Sequence, residues 1–425
     1  MKTTLQNTST GVGLIIGRWG WQNCRRRLPT SPAGRGPRKI ARLMLAGVAG
    51  AAGLGIWLNA SAVIVKTTTW AKYNNATSPP SDTTSTDGRI ALGSGGKGDA
   101  ARTQRPAVIS GATLQMWYTG YDGSYYRIYY ATSPDGLTWT KYDNTIPADS
   151  DGVSTNGRIP QGTAGTGDDG HAYYASVIKD GNTYKMWYTG FDGFTNRIYY
   201  ATSPDGLTWT KYSNTIPTNS DTTSTDGRIP TGTAGTGDDA HVITPWVIKD
   251  GNTYKMWYAG SDGSYYRIYY ATSPDGLTWT KLDNTIPADS NGVSTNGQIP
   301  QGTAGRGDVE NVLGASVIKE GNTYKMWYGG SDGAYRIYYA TSPDGLTWTK
   351  YNNVAPASSD TTSTDNRIPL GTAGKGDLIN AYHPCVITEG TTYRMWYVGV
   401  AAGGALYGIY HARIVPPPGT ILIAH

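Results

Sequence analysis

Three carboxylates stand where an otherwise repeating chain varies. Asp169, Asp239 and Glu310 fall in the stretches Asp169 to Val177 (DGHAYYASV), Asp239 to Val247 (DAHVITPWV) and Val309 to Val317 (VENVLGASV). Together with Ala100 to Val108 (AARTQRPAV) and Leu378 to Val386 (LINAYHPCV), these diverge while their surroundings stay nearly identical. Hydrolysis of a glycosidic bond needs two carboxyls flanking it, roughly 5 to 5.5 Å apart for retention and 6.5 to 9.5 Å for inversion. In that chemistry Asp169 is base or nucleophile, Glu310 is the acid and Asp239 tunes its pKa. The same stretches supply Tyr173, Tyr174, Trp246 and Tyr382 as faces for a sugar ring. Arg102, Arg105, His171, His241, Asn311, Asn380 and His383 supply polar contacts. Two plainer readings stand beside this one: the acids solvate the linker ends or pair with Arg102 and Arg105, or His171, His241 and Glu310 ligate a metal. The site set assigned from the sequence contains no metal ligand, and no cofactor is called for.

Positioning these residues is the work of a repeat. Met186 to Lys211 (MWYTGFDGFTNRIYYATSPDGLTWTK) has close copies starting at Met116, Met256, Met326 and Met395, spaced by 70, 70, 70 and 69 residues. Tyr184 to Thr189, Arg197 to Thr202 and Leu207 to Lys211 are rich in aromatic and β-branched residues and read as strands. Ser203-Pro204-Asp205-Gly206 reverses the chain between the last two, because Pro presets φ and Gly accepts positive φ. Upstream, Ser176 to Lys179 is a short apolar strand, and Asp180-Gly181-Asn182 gives a hairpin signal. Each unit is thus a four-stranded antiparallel meander, and the fixed period predicts an all-β, five-bladed β-propeller. Thr68 to Tyr73 (TTWAKY) matches the fourth strand of a unit, while the fifth unit stops after its third strand at Gly408 to Arg413. The N-terminal strand is therefore expected to complete the last blade and close the ring, removing an exposed edge. In such a ring the start of each inner strand opens on the axial channel, beside the long linkers and the Tyr-rich turns, which makes this mouth the default ligand site.

Positions identical in every unit are expected to serve the blade. Trp70, Trp139, Trp209, Trp279 and Trp348 read as core. Asp135, Asp205, Asp275 and Asp344 read as caps of their own turns. Asp99, Asp168, Asp238, Asp308 and Asp377 read as pins between linker and first strand.

The chain has 425 residues with 57 Gly, 32 Tyr and 14 Trp against 2 Phe, a bias toward turns and aromatics. Its net charge of +5 comes from nine Lys or Arg in residues 1–42, leaving 27 basic against 31 acidic residues elsewhere. The sequence shows no basic patch for nucleic acid in the remainder. Cys24 falls in the leader and Cys385 in an expected inner strand, so a disulfide in the mature protein is not expected. Residues 1–62 combine a basic segment, the apolar run Leu43 to Leu58 and Ala60-Ser61-Ala62, the pattern of an export signal cleaved after Ala62 or retained as an anchor. A secreted or cell-envelope monomer is expected, touching a membrane only through that segment. Residues 63–413 form the propeller and residues 414–425 a Pro-rich tail.

The inner strand Pro245-Trp246-Val247-Ile248, the hairpin Lys249-Asp250-Gly251, the strand Tyr254 to Tyr258 and the turn Ser273-Pro274-Asp275-Gly276 with Trp279 resemble the five-bladed propeller glycosidases. That superfamily includes glycoside hydrolase families 32, 43, 62 and 68 and the related family 130. The resemblance spans about residues 63–413 and implies the fold, a carbohydrate partner and hydrolysis by an Asp, Asp, Glu set. In the family a base Asp commonly precedes an inner-strand Pro. Here Arg105, Tyr174, Thr244, Gly314 and His383 hold that position, and Asp169, Asp239 and Glu310 keep the family's order four or five residues earlier. The alternative function is a non-catalytic propeller that binds glycan or a partner protein.

Overall fold

A computed structural model describes residues 69–415 except 391 and 405. The leader with its cleavage site and the tail beyond residue 415 lie outside the described residues. Among the described residues no helix is long and apolar enough to cross a membrane.

Five antiparallel meanders follow one another, each running from the axis outward. The inner strands are Arg102–Ile109, His171–Asp180, His241–Asp250, Asn311–Glu320 and Asn380–Glu389. In the second blade the sheet continues through Thr183–Phe191 and Asn196–Ser203 to the short Trp209–Lys211. The four-stranded expectation is one strand short. The linker entering each blade adds a two-residue outer strand, such as Val153–Ser154 against Trp209 and Thr210. The long linkers thus lie along the blade edge and cover its unpaired groups.

In the fifth blade Thr69–Lys72 pairs antiparallel with Tyr407–Val415 on one side and with Thr362–Ser363 on the other, the place that Trp209–Lys211 takes in the second. The fourth-strand Trp of each blade packs edge-on against a second-strand Trp of the blade before it: Trp209 on Trp117, Trp279 on Trp187, Trp348 on Trp257, Trp70 on Trp327 and Trp139 on Trp396, at 5.6 to 5.9 Å. All ten are fully buried. A side chain of this size buries roughly 150 to 250 Å², worth an upper figure of about 4 to 6 kcal/mol each.

Beneath the linkers sits a buried polar cluster repeated five times. Asp238 accepts Lys281 Nζ at 2.8 Å, Tyr258 Oη at 2.9 Å and Asn284 Nδ2 at 2.8 Å. Asp99, Asp168, Asp308 and Asp377 repeat the pattern, with Lys72 serving Asp377 at 2.7 Å. Since the Asn comes from the following linker, each cluster ties that linker to the start of an inner strand. In the turns, Asp205 Oδ1 accepts the amides of Leu207 and Thr208 at 2.8 and 2.6 Å, and Asp135, Asp275 and Asp344 do the same.

Candidate functional site at the mouth of the ring

Alternation should carry each inner strand past the axis with period two, and a bulge interrupts it. Register breaks between Gln104 and Ala107, Tyr173 and Ser176, Ile243 and Trp246, Leu313 and Ser316, and Tyr382 and Cys385. Inside each bulge one residue has positive φ: Arg105 (38°), Tyr174 (56°), Thr244 (53°), Gly314 (66°) and His383 (51°). Only Gly takes that conformation freely, and a β-branched Thr there is strained. The bulge turns its residue out of the alternating pattern and re-aims it. Neighbouring blades hold the strained backbone in place: the amides of Tyr174 and Thr244 donate to Thr119 and Thr189 Oγ1 at 2.8 and 3.1 Å.

Above the bulge, the first residue of each inner strand reaches back to the preceding blade. His171 and His241 accept the amides of Tyr126 and Asn196 through Nδ1 at 3.4 and 3.3 Å. Asn311 and Asn380 accept those of Tyr266 and Tyr335 through Oδ1 at 2.9 and 2.8 Å. Arg102, at the fifth equivalent position, lies 4.3 Å from the Tyr407 ring and donates to Tyr126 Oη at 2.7 Å. These five side chains therefore act as latches between blades. Burial lowers the pKa of both His171 and His241, so both are neutral near pH 7 and free to accept.

The three candidate acids stand half-buried near these latches, each holding a loop. Asp169 and Asp239 Oδ2 accept the amides of Gly165 and Gly235 at 2.7 Å. Glu310 Oε2 accepts Ser331 Oγ and the amide of Gly333, both at 2.8 Å. Neither Arg102 nor Arg105 forms an ion pair among the described residues, so the pairing with these acids weighed from the sequence is not made. No group of three His, Cys, Asp or Glu side chains among the described residues could hold a metal ion.

Aromatic rings fill the space between latches and bulges. Tyr126 stacks on Tyr173 at 5.5 Å and on Tyr121 at 4.3 Å, and Tyr335 stacks on Tyr382 at 5.1 Å. Tyr173 Oη donates to Asn196 Oδ1 at 2.6 Å. Ile243 and Leu313 stand where Tyr173 and Tyr382 do, so the floor is aromatic under the second and fifth blades and aliphatic under the third and fourth. At the rim Tyr125 and Tyr265 are about half exposed and Phe194 is largely exposed.

Trp246 sits elsewhere. It follows the bulge and, with Lys179 and Lys249, lines a cavity of about 310 Å³ toward the hairpin end of the inner strands, its Nε1 donating to Val317 O at 2.8 Å. Sequence reasoning placed the Tyr-rich turns at the mouth but did not single out Tyr126, Tyr266 and Tyr335 as residues facing a ligand. It also missed the bulge, although Pro106, Pro245 and Pro384 mark it in three blades, Pro being confined within sheets to edges and bulges.

No family model matches the chain. Over 177 residues, 39% of the chain, it is 31% identical to two curated proteins of Mycobacterium tuberculosis, the uncharacterized proteins MT1551 (strain CDC 1551 / Oshkosh) and Rv1502 (strain ATCC 25618 / H37Rv). The chain spans about half the length, 48%, of these relatives. Among solved structures, a glycoside hydrolase matches with a TM-score of 0.55 at 15% identity, over 84% of this chain and 95% of that one. A BT0996 complex with RGII matches at 0.54 and 16%, over 84% and 95%. A structure from the GH130 family of mannoside phosphorylases, which contains glycoside hydrolases targeting β-1,2 mannosidic linkages in Candida mannan, matches at 0.50 and 14%, over 80% and 93%. The fold is that of the five-bladed propeller glycoside hydrolases.

Proposed function

We propose that this propeller is an exported carbohydrate-binding protein whose mouth receives a glycan. The observation that carries the reading is the pair of stacked Tyr platforms, Tyr126 with Tyr173 and Tyr335 with Tyr382, set among the polar latches Arg102, His171, His241, Asn311 and Asn380. Sugar rings present C–H faces that suit aromatic rings and hydroxyls that suit such polar groups. Likeness to glycoside hydrolases supports the choice of ligand class through the fold alone.

Hydrolysis is the second reading, favoured by the carboxylates of Asp169, Asp239 and Glu310 near the mouth ends of three successive inner strands. Binding is preferred because each of these acids already accepts backbone amides that hold its loop. The position that commonly carries the base in the resembling glycosidases holds no carboxylate.

The test is retention of the full-length chain on affinity gels of plant and microbial polysaccharides, run beside assays of reducing-sugar release. Retention by one polysaccharide without release is expected, weakened roughly three- to tenfold in Tyr382→Ala, the worth of one aromatic contact. No retention by any gel overturns the proposal. Release abolished in Glu310→Gln establishes hydrolysis instead.

A further inference from the structure

The five bulges bring together side chains of different blades, and at their meeting point lies a charge with no counter-charge. Arg105 is 2% exposed and makes no ion pair among the described residues. Its Nη2 crosses from the first blade to donate to Pro245 O in the third, at 2.8 Å. Its Nη1 lies 3.2 Å from where a Cβ on Gly314, in the fourth blade, would stand, and His383 Cδ2 of the fifth blade lies 3.5 Å from the same point. Tyr174 of the second blade packs its ring 4.9 Å from that of His383. Arg105 thus reaches the axis, with the side-chain-free face of Gly314 beside it.

Four buried polar atoms here lack any partner among the described residues: Arg105 Nε and Nη1, Thr244 Oγ1 and His383 Nδ1. Thr244 immediately precedes the carbonyl that Arg105 engages. Three of the four atoms belong to Arg and Thr and can donate, while His383 can present a donor in one tautomer. Leaving such groups unpaired in the interior is unfavourable, and more so where the group is charged. Nearby ionisable groups do not neutralise the guanidinium, because burial keeps the Cys385 thiol protonated, its pKa pushed up to about 12, and Tyr174 is likewise held neutral. The guanidinium's own pKa, lowered to about 10 by burial, leaves it charged at neutral pH.

We infer that the axis holds a small inorganic monoanion of chloride size, bound by the unpartnered Arg105 Nε or Nη1 and by Thr244 Oγ1. This site is separate from the glycan mouth above it and does not depend on that reading. It explains together why one bulge carries a buried arginine and why no acid among the described residues balances the charge. The anion would fasten blades one and three across the centre of the ring.

Two measurements on the full-length chain test it. In crystals grown with sodium bromide, an anomalous peak within hydrogen-bonding reach of Arg105 is expected. Thermal midpoints in sodium chloride and in sodium gluconate of equal ionic strength should differ, with chloride higher by on the order of 2 °C. Arg105→Met should abolish that difference. Should that variant fail to fold, Thr244→Val, which keeps shape and removes one donor, should reduce it. Bromide only at the surface, or equal midpoints in the two salts, overturns the site.

Discussion

His411 is a buried base with no hydrogen-bond partner among the described residues. It is 1% exposed, packs at 5.2 Å on Trp396, and both ring nitrogens are unpartnered there. Burial, with Arg394 and Arg413 adding repulsion, lowers its pKa to about 3. The folded state therefore stays neutral where the unfolded chain takes up a proton below its ordinary value of about 6.5. More protons bound by the unfolded chain means that stability falls as pH drops from about 6.5 toward 3, by about 1.4 kcal/mol per pH unit for this residue. His383, fully buried and shifted in the same direction, adds to the slope. Replacing His411 with Phe should leave stability at pH 7 unchanged or higher, since no hydrogen bond is lost. It should also remove one proton from the pH dependence between about 4.5 and 6, measured by urea denaturation at each pH. An unchanged slope refutes the assignment.

Among the elements, the latch between blades is the clearest case of different residue types doing the same work. Asn311→Ala leaves the amide of Tyr266 without its acceptor and should cost about 1 to 3 kcal/mol by denaturant titration. His241→Asn should cost much less, since Asn already serves this position in two blades. A comparable loss in both would show that the latch geometry differs between blades. The strands, their turns and the fivefold count were readable because hydrophobic alternation and Ser-Pro-Asp-Gly are local signals that recur at one spacing. Trp70 and Lys72 were readable as a displaced fourth strand for the same reason. What stayed hidden depends on neighbours across blades. Nothing near Tyr174 announces positive φ, and nothing near His171 says that its nitrogen will accept an amide from Tyr126. Asp169, Asp239 and Glu310 were recognisable as unusual, but the loop amides that occupy them come from folding the linkers back over the strand ends.

For the molecule as a whole, stability rests on five equal joints. Lys281→Met leaves Asp238 buried without its cation, a change of the kind that costs about 3 to 5 kcal/mol. Lys72→Met does the same to Asp377, although the two residues stand at opposite ends of the described chain. If the first strand is held in the fifth blade as firmly as Trp279–Lys281 is in the third, the two variants should lose the same stability in parallel denaturation curves. A much smaller loss for Lys72→Met would mean that this joint is loose in solution.

That joint has a consequence for assembly. Every other fourth strand is tethered to its slot by a tight turn, whereas Thr69–Lys72 shares its slot with no adjacent turn and is covalently remote from it. The slot recognises a sequence, not a particular molecule. Two chains that open together can each donate this segment to the other, and the reciprocal product would bury the same Trp and Lys as the monomer. Refolding at high concentration would then select intertwined pairs that dilution alone releases only slowly.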